Sequence, residues 1–205
     1  RLLAYAVQDG GTDWRTIKVR DVASGQDLPD MIEWSKFGRV AWKKDGSGFY
    51  YSRFPETAGP KYLAVSLNQK IYFHRLGTPQ AADSLVFETP DHPKRGHFAQ
   101  VTDDGRWLII ITSEGTDDRY EVRIADIAKG EKPRALVTGL DFDWSLAGSV
   151  GDTLYFRTNK AAPRGRIVAM NALTAAVTEV VPEGAATLTS ASLVGNRLVA
   201  ETLED

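Results

Sequence analysis

Four short segments share one pattern, and their spacing restricts the fold more than any other feature of the chain. Residues 38–51, 99–110, 145–156 and 191–200 each run as an apolar strand, a turn built on Gly with Asp or Asn, and a second apolar or aromatic strand. Asp-Gly and Gly-Asn take the positive backbone angles of tight hairpin turns at little steric cost. Anchored on Gly46, Gly105, Gly151 and Gly195, the copies lie 59, 46 and 44 residues apart. Between anchors come two further strand-like runs: residues 70–76 and 84–87, then 120–126 and 134–137, then 166–170 and 177–181. Val122 and Ile124 alternate with Glu121 and Arg123, which predicts a strand with one wetter face. Gly and Pro interrupt nearly every window long enough for an amphipathic helix, so helix content is expected to be low. Four antiparallel strands in about 45 residues are the content and period of a β-propeller blade.

The fold class read from the sequence is therefore all-β, a β-propeller of four-stranded antiparallel blades. The count is three strands of one blade, three complete blades and two strands of a next, about four blades in all. The expected division places blade remnants at residues 1–30 and 188–205 and full blades at about 31–92, 93–140 and 141–187, all within one propeller domain. Closure into a ring is not expected within these residues, because one blade buries too little to fold alone and relies on stacked neighbours. Residues 2–5 read as the second strand of an earlier copy, and the chain as part of a longer propeller. The extra length in the second unit falls in residues 55–60 and 90–96, both read as loops.

Composition removes several classes of function. The 205 residues carry 25 Lys+Arg against 27 Asp+Glu, a net charge of −2. No basic excess is available for nucleic acid or an anionic membrane, and neither is expected as a partner. Without cysteine there is no disulfide framework, thiol nucleophile or thiolate–zinc site. No apolar run approaches the roughly 20 residues that cross a bilayer. A soluble protein is expected, with cytoplasm and periplasm both open as compartments.

A search for catalytic apparatus returns little. The nearest approach to a Gly-x-Ser-x-Gly nucleophile elbow, residues 147–151, lacks the first Gly and lies between two strands, not at a strand-to-helix turn. No phosphate loop or dinucleotide fingerprint is present, and no cofactor is expected. His74 sits in an alternating strand and reads as a hydrogen-bonded structural residue. His92, between Asp91 and Pro93, reads as solvated, and His97 as a residue that faces a cavity rim. No His pair has metal-ligand spacing, so no metal site is expected. Asp103-Asp104 reads as a hairpin turn before a calcium loop. Trp42 and Trp107 belong to hairpin positions that pack between blades, whereas Trp14, after Gly10-Gly11-Thr12-Asp13, is the aromatic expected at an exposed or interfacial position. These residues describe a scaffold with no catalytic residue of its own.

The string Thr12-Asp13-Trp14-Arg15-Thr16-Ile17-Lys18-Val19, followed by Leu28-Pro29-Asp30 and Lys36-Phe37-Gly38-Arg39-Val40-Ala41-Trp42, resembles the propeller of the prolyl oligopeptidase (prolyl endopeptidase) family. Residues 45–51, the run Asn68-Gln69-Lys70-Ile71-Tyr72-Phe73-His74-Arg75-Leu76-Gly77-Thr78 and residues 87–93 continue the resemblance. Oligopeptidase B shares the Leu-Pro-Asp and His-Arg-Leu-Gly-Thr signatures, but the Asp-Trp-x-Thr-Ile-Lys string favours the prolyl branch. The resemblance implies a two-domain serine peptidase in which a seven-bladed propeller caps an α/β-hydrolase domain of the same parent chain. The Ser-Asp-His triad would lie wholly in that domain. The propeller's implied work is steric: it admits short proline-containing peptides, cleaved after proline, and excludes folded proteins.

Four residues carry over to a substrate cavity by the resemblance. Phe37 matches an aromatic that lines an outer subsite, and its bare sequence context also fits a packed strand-end aromatic. Asp13 matches an Asp that tunes a substrate-binding Arg of the other domain. Ser113 stands where the family has Arg, Thr116 where some members have Cys, and Gly96 where a cavity Met occurs. Two alternatives remain: a free-standing propeller that binds a peptide or protein on its rim, and the propeller of an oligopeptidase B.

Overall fold

The computed structural model describes residues 1–8 and 10–204; Asp9 and Asp205, the last residue of the expected final remnant, lie outside them. Among the described residues, seventeen strands form five antiparallel sheets. The first sheet holds β1 (Leu2–Gln8), β2 (Arg15–Asp21) and β3 (Asp27–Ser35). The second holds β4 (Ala41–Trp42), β5 (Gly48–Arg53), β6 (Lys70–Arg75) and β7 (Ser84–Phe87). The third holds β8 (Arg95–Val101), β9 (Trp107–Glu114), β10 (Glu121–Asp126) and β11 (Arg134–Val137). The fourth holds β12 (Trp144–Val150), β13 (Thr153–Thr158), β14 (Arg166–Asn171) and β15 (Val177–Val181), and the last β16 (Thr187–Val194) and β17 (Arg197–Leu203). Strands follow chain order within every sheet, the meander of a propeller blade. Helix among the described residues is confined to two single 3₁₀ turns, Lys61–Leu63 and Gln80–Ala82. No described helix is long and apolar enough to cross a membrane.

The anchoring glycines behave as their sequence context requires. Gly46, Gly105, Gly151 and Gly195 all have φ between 53° and 78°, the left-handed region that a Cβ disfavours. Each turn returns the chain antiparallel, so inner strands β4, β8, β12 and β16 each pair with the strand that follows. β3 extends to Ser35, and the expected division after residue 30 falls inside this strand.

The core lies between sheets and is divided by sheet. Ile17, Val19 and Ile32 of the first sheet meet Phe49 and Tyr51 of the second. Tyr50 and Ile71 of the second meet Leu108 and Ile110 of the third, and Trp107, Ile109 and Ile111 meet Leu154 and Phe156 of the fourth. Neighbours on β5 and β9 thus point in opposite directions, each into a different core, which is why both strands are buried on both faces along nearly their whole length. The same stacking overturns the wetter face expected for β10. Glu121 is buried and paired with Arg95 at 3.3 Å, and Arg123 lies over the Phe87 ring of the preceding sheet at 5.0 Å.

Candidate functional site

Strand register assigns every loop to one of two ends of the stacked sheets. The tight hairpins, such as residues 43–47, 102–106 and 151–152, lie at one end. The crossings between sheets lie at the other, together with the loops at residues 10–14, 54–69 and 115–120, as the pairs Arg15↔Ser35, Arg53↔Lys70 and Arg95↔Glu114 show. Asp13, Phe37, Ser113 and Thr116 are all at this crossing end.

Phe37 lies in the short connection, residues 36–40, from β3 to β4. Trp34 and Phe37 have φ of 58° and 59°, left-handed values that bulky residues seldom adopt and that cost about 1–2 kcal/mol each. Neighbouring contacts hold the strain: the Phe54 amide donates to the Trp34 carbonyl at 2.9 Å and the Ser35 hydroxyl to the Ser52 carbonyl at 3.0 Å. Gly38 lets the turn sit against the second sheet, since a Cβ there would lie 3.1 Å from Ser52. The outcome is an aromatic ring turned outward, 51% exposed.

Lys36 takes the opposite course. Its side chain turns inward, 7% exposed, with Nζ 4.1 Å from the Trp14 ring centre, 5.3 Å from Phe37 and 5.6 Å from Phe54. Trp14 meets Trp34 and Phe54 edge to face at 5.5 and 5.8 Å, and Lys61 Nζ lies 5.1 Å from the Trp34 ring centre. Burial pushes the Lys36 ammonium down, and the field of Asp13 offsets part of that change. Asp13 itself is exposed. The Trp14 expectation is thereby corrected: the indole is 7% exposed and forms the floor of a cation–aromatic box.

Beside Phe37 opens a recess of about 440 Å³ lined by Phe37, Phe98, Ile111, Tyr120, Trp144 and Leu146 among others. A second, polar recess of about 300 Å³ shares Tyr120 and carries Asp118, Asp143 and Arg157. Asp143 and Arg157 are ion-paired, and burial pushes the Asp143 carboxyl up against the opposing pull of Ser145 and Arg157. Side by side, the two recesses offer an apolar surface next to donors and acceptors, the combination that holds an extended peptide.

The four sequence-derived residues fall into two groups. Asp13 and Phe37 flank the Lys36 box, and only Phe37 borders the apolar recess. Ser113, opposite Gly96 at the end of β9, is buried, and Thr116 is exposed in the following turn. His97 does not face a cavity rim. It is fully buried, with Nδ1 2.9 Å from the Thr112 hydroxyl and Nε2 3.2 Å from that of Thr89. His92 is exposed, and Asp104 caps its hairpin by accepting from the Thr102 hydroxyl and the Arg106 amide. Among the described residues no group of three or more His, Asp or Glu side chains is arranged to hold a metal ion. Sequence reasoning missed Lys36, Tyr120 and Trp144 as site residues. Their signal is tertiary, because strands from different sheets bring them to the rim.

The family model for the prolyl oligopeptidase N-terminal β-propeller domain matches residues 1–205. Prolyl oligopeptidase A of Amanita bisporigera is 34% identical over 193 residues, which cover 83% of this chain and 25% of that protein. The prolyl endopeptidase of Elizabethkingia meningoseptica is 34% identical over 168 residues, covering 82% and 24%. Among solved structures, one from a structural and mechanistic study of two prolyl endopeptidases superposes with a TM-score of 0.92 at 43% identity, over 100% of this chain and 30% of that one. Prolyl oligopeptidase B from Galerina marginata, bound to a 35-residue hydrolysis and macrocyclization substrate, gives a TM-score of 0.85 at 27% identity, over 97% and 30%. The chain thus spans about a quarter to a third of the proteins it matches.

Proposed function

The chain belongs to the prolyl oligopeptidase N-terminal β-propeller family, and from that premise we propose that it forms the gating and substrate-filtering wall of a proline-specific serine oligopeptidase. In this reading an α/β-hydrolase domain of the same parent chain carries the triad and lies over the crossing end. The single observation that supports it most is the outward Phe37 ring held in a strained turn above a peptide-sized recess. Strain kept at one exposed aromatic, and braced by two neighbouring hydrogen bonds, marks a position selected for what it presents. The propeller excludes folded proteins by size, while the recess holds residues of a short peptide remote from the cleaved bond. Enclosure also removes water and strengthens each electrostatic contact inside. Phe37 provides the apolar contact of an outer subsite, Asp13 tunes the charge at its edge, and exposed Thr116 with buried Ser113 complete the substrate-side set of this reading at the same end.

The test is hydrolysis by the full-length parent protein on chromogenic proline peptides of increasing length and on a folded protein. The expected result is cleavage after proline in the peptides and none in the folded protein. Cleavage after arginine in place of proline would move the assignment to an oligopeptidase B. A parent chain with no peptidase activity would leave a rim-binding module.

A further inference from the structure

Two signatures of the chain, Leu28-Pro29-Asp30 and His74-Arg75-Leu76-Gly77-Thr78, lie far apart in sequence and meet in space. His74, on β6, has 0% exposure. Its Nε2 is 3.0 Å from Asp30 Oδ1 on β3 of the preceding sheet, and its Nδ1 is 2.7 Å from Asp83 Oδ1 on the connection into β7. Both carboxyl groups are buried. Asp30 Oδ1 also accepts the Gly77 amide at 2.6 Å, and Asp83 Oδ2 accepts the Tyr51 hydroxyl at 2.6 Å. Phe49 covers the ring at 5.2 Å between centroids. The titratable groups around the imidazole are therefore Asp30 from β3, Asp83 from the β6–β7 connection and Tyr51 from β5, with Arg53 beside the Tyr51 hydroxyl.

An ionised carboxylate offers only acceptors, so an imidazole with a carboxylate oxygen at each nitrogen satisfies both only by donating twice. A neutral ring would set a lone pair against an oxygen about 3 Å away in a site closed to solvent. Burial alone would push His74 down, but Asp83 and Asp30 outweigh it and hold the imidazole above its ordinary value. The same connection grips β3 a second time: Gln80 Oε1 accepts the Glu33 amide and Gln80 Nε2 donates to the Glu33 carbonyl, both at 3.0 Å. Asp30 and Glu33 lie seven and four residues before Phe37.

We propose that His74 is a positioning residue: a proton shared with Asp30 and Asp83 locks the second sheet onto β3 and so fixes the Phe37 end of that strand, making the rim's grip on a peptide sensitive to alkaline pH. The peptide half of this inference rests on the outer-subsite reading of Phe37; the lock itself does not. A group held above its unfolded value contributes fully below about pH 6.5, and the contribution disappears as pH rises through the folded value.

The experiment uses the full-length parent protein. Hydrogen exchange is followed by mass spectrometry over residues 27–40 and 70–83 from about pH 6 to about pH 10, corrected for intrinsic rates. Protection of β3 is expected to fall in one step as pH rises. Asp83→Asn should move that step down by roughly one pH unit by removing one of two facing charges, and His74→Gln should abolish it. If His74→Gln does not fold, Asp83→Asn carries the test alone. The ratio of kcat/KM for long and short proline peptides, in which the titration of the catalytic groups cancels, should fall over the same range. A flat exchange profile, or a step that Asp83→Asn leaves in place, overturns the lock. Phe37→Ala separates the two ideas. If that variant changes the length ratio at low pH but wild type shows no pH-dependent change, the positioning role is wrong. If Phe37→Ala leaves the ratio untouched, the subsite reading fails, and exchange alone decides the lock.

Discussion

Phe37 adopts a backbone angle that nothing in its own sequence requires, and removing its ring separates packing from binding. With half its surface in solvent it contributes little to the core, so Phe37→Ala should change stability by less than about 0.5 kcal/mol. If the ring contacts substrate, the same change should weaken peptides long enough to reach it by about 1–3 kcal/mol and leave the shortest unaffected. Steady-state kinetics of the parent enzyme on a length series reads this directly, and a defect independent of length makes Phe37 structural. His97 supports a second prediction, opposite in sign to His74. Burial first, then the charges of Arg95 and Arg123, pushes its imidazole down to about 4, so the folded protein holds the ring neutral between two hydroxyls. That contribution, roughly 3 kcal/mol, is complete above about pH 6.5 and is lost as pH falls toward the folded value. Urea unfolding of wild type and His97→Gln between neutral and acid pH should show the variant with the shallower acid loss. Equal slopes would place the acid sensitivity elsewhere. His97 and Trp14 were misread from sequence for one reason: each borders a loop, and local context gave no sign that a neighbouring sheet covers it.

Strands and turns were far more legible than individual side chains. The runs expected at residues 84–87, 134–137 and 177–181 match β7, β11 and β15 at both ends, and Asp83, Glu88, Pro133 and Pro182 mark four of those six boundaries. Long-range stacking was not legible: the polar face of β10 is buried because another sheet lies against it, and period-two alternation cannot encode that. Steric tests at two glycines show how tightly the hairpins are built. Gly48 opens β5 opposite Arg75, and a Cβ there would fall 2.1 Å from the His74 carbonyl oxygen. Backbone atoms in the middle of a sheet have nowhere to move, so Gly48→Ala should cost several kcal/mol. Gly46, two residues earlier, faces open space but has φ of 71°, so Gly46→Ala should cost only about 1 kcal/mol from the left-handed backbone. Comparing urea midpoints of the two variants tests the distinction, and equal losses would mean that backbone angle alone controls this turn.

At the scale of the whole molecule, the sheets are unequal in a way that predicts behaviour in solution. The three interior cores lie between consecutive sheets, so the second and third sheets are covered by core on both faces. The last sheet has two strands, and β17 has only Leu198 partly buried along its length. Val199 and Leu203 there, with Leu3 and Val7 on β1, are each at least 45% exposed. Unpaired strand edges next to apolar side chains are templates for further pairing. Expressed by itself, this chain should therefore associate in a concentration-dependent way in sedimentation experiments, and a cooperative monomer would show that the end sheets need no cover. The same isolated chain should give no turnover of a chromogenic proline peptide, since the crossing end offers a strained aromatic, a buried ammonium and two recesses but, among the described residues, no histidine lining either recess to act as the base for a nucleophile. Measurable hydrolysis by it would relocate the chemistry to these residues. The repeat made the architecture readable from hairpin spacing alone. The candidate site was only half readable, because Phe37 and Asp13 each stand in a short sequence signature, whereas Lys36, Tyr120 and Trp144 gain their setting only once the first four sheets have stacked.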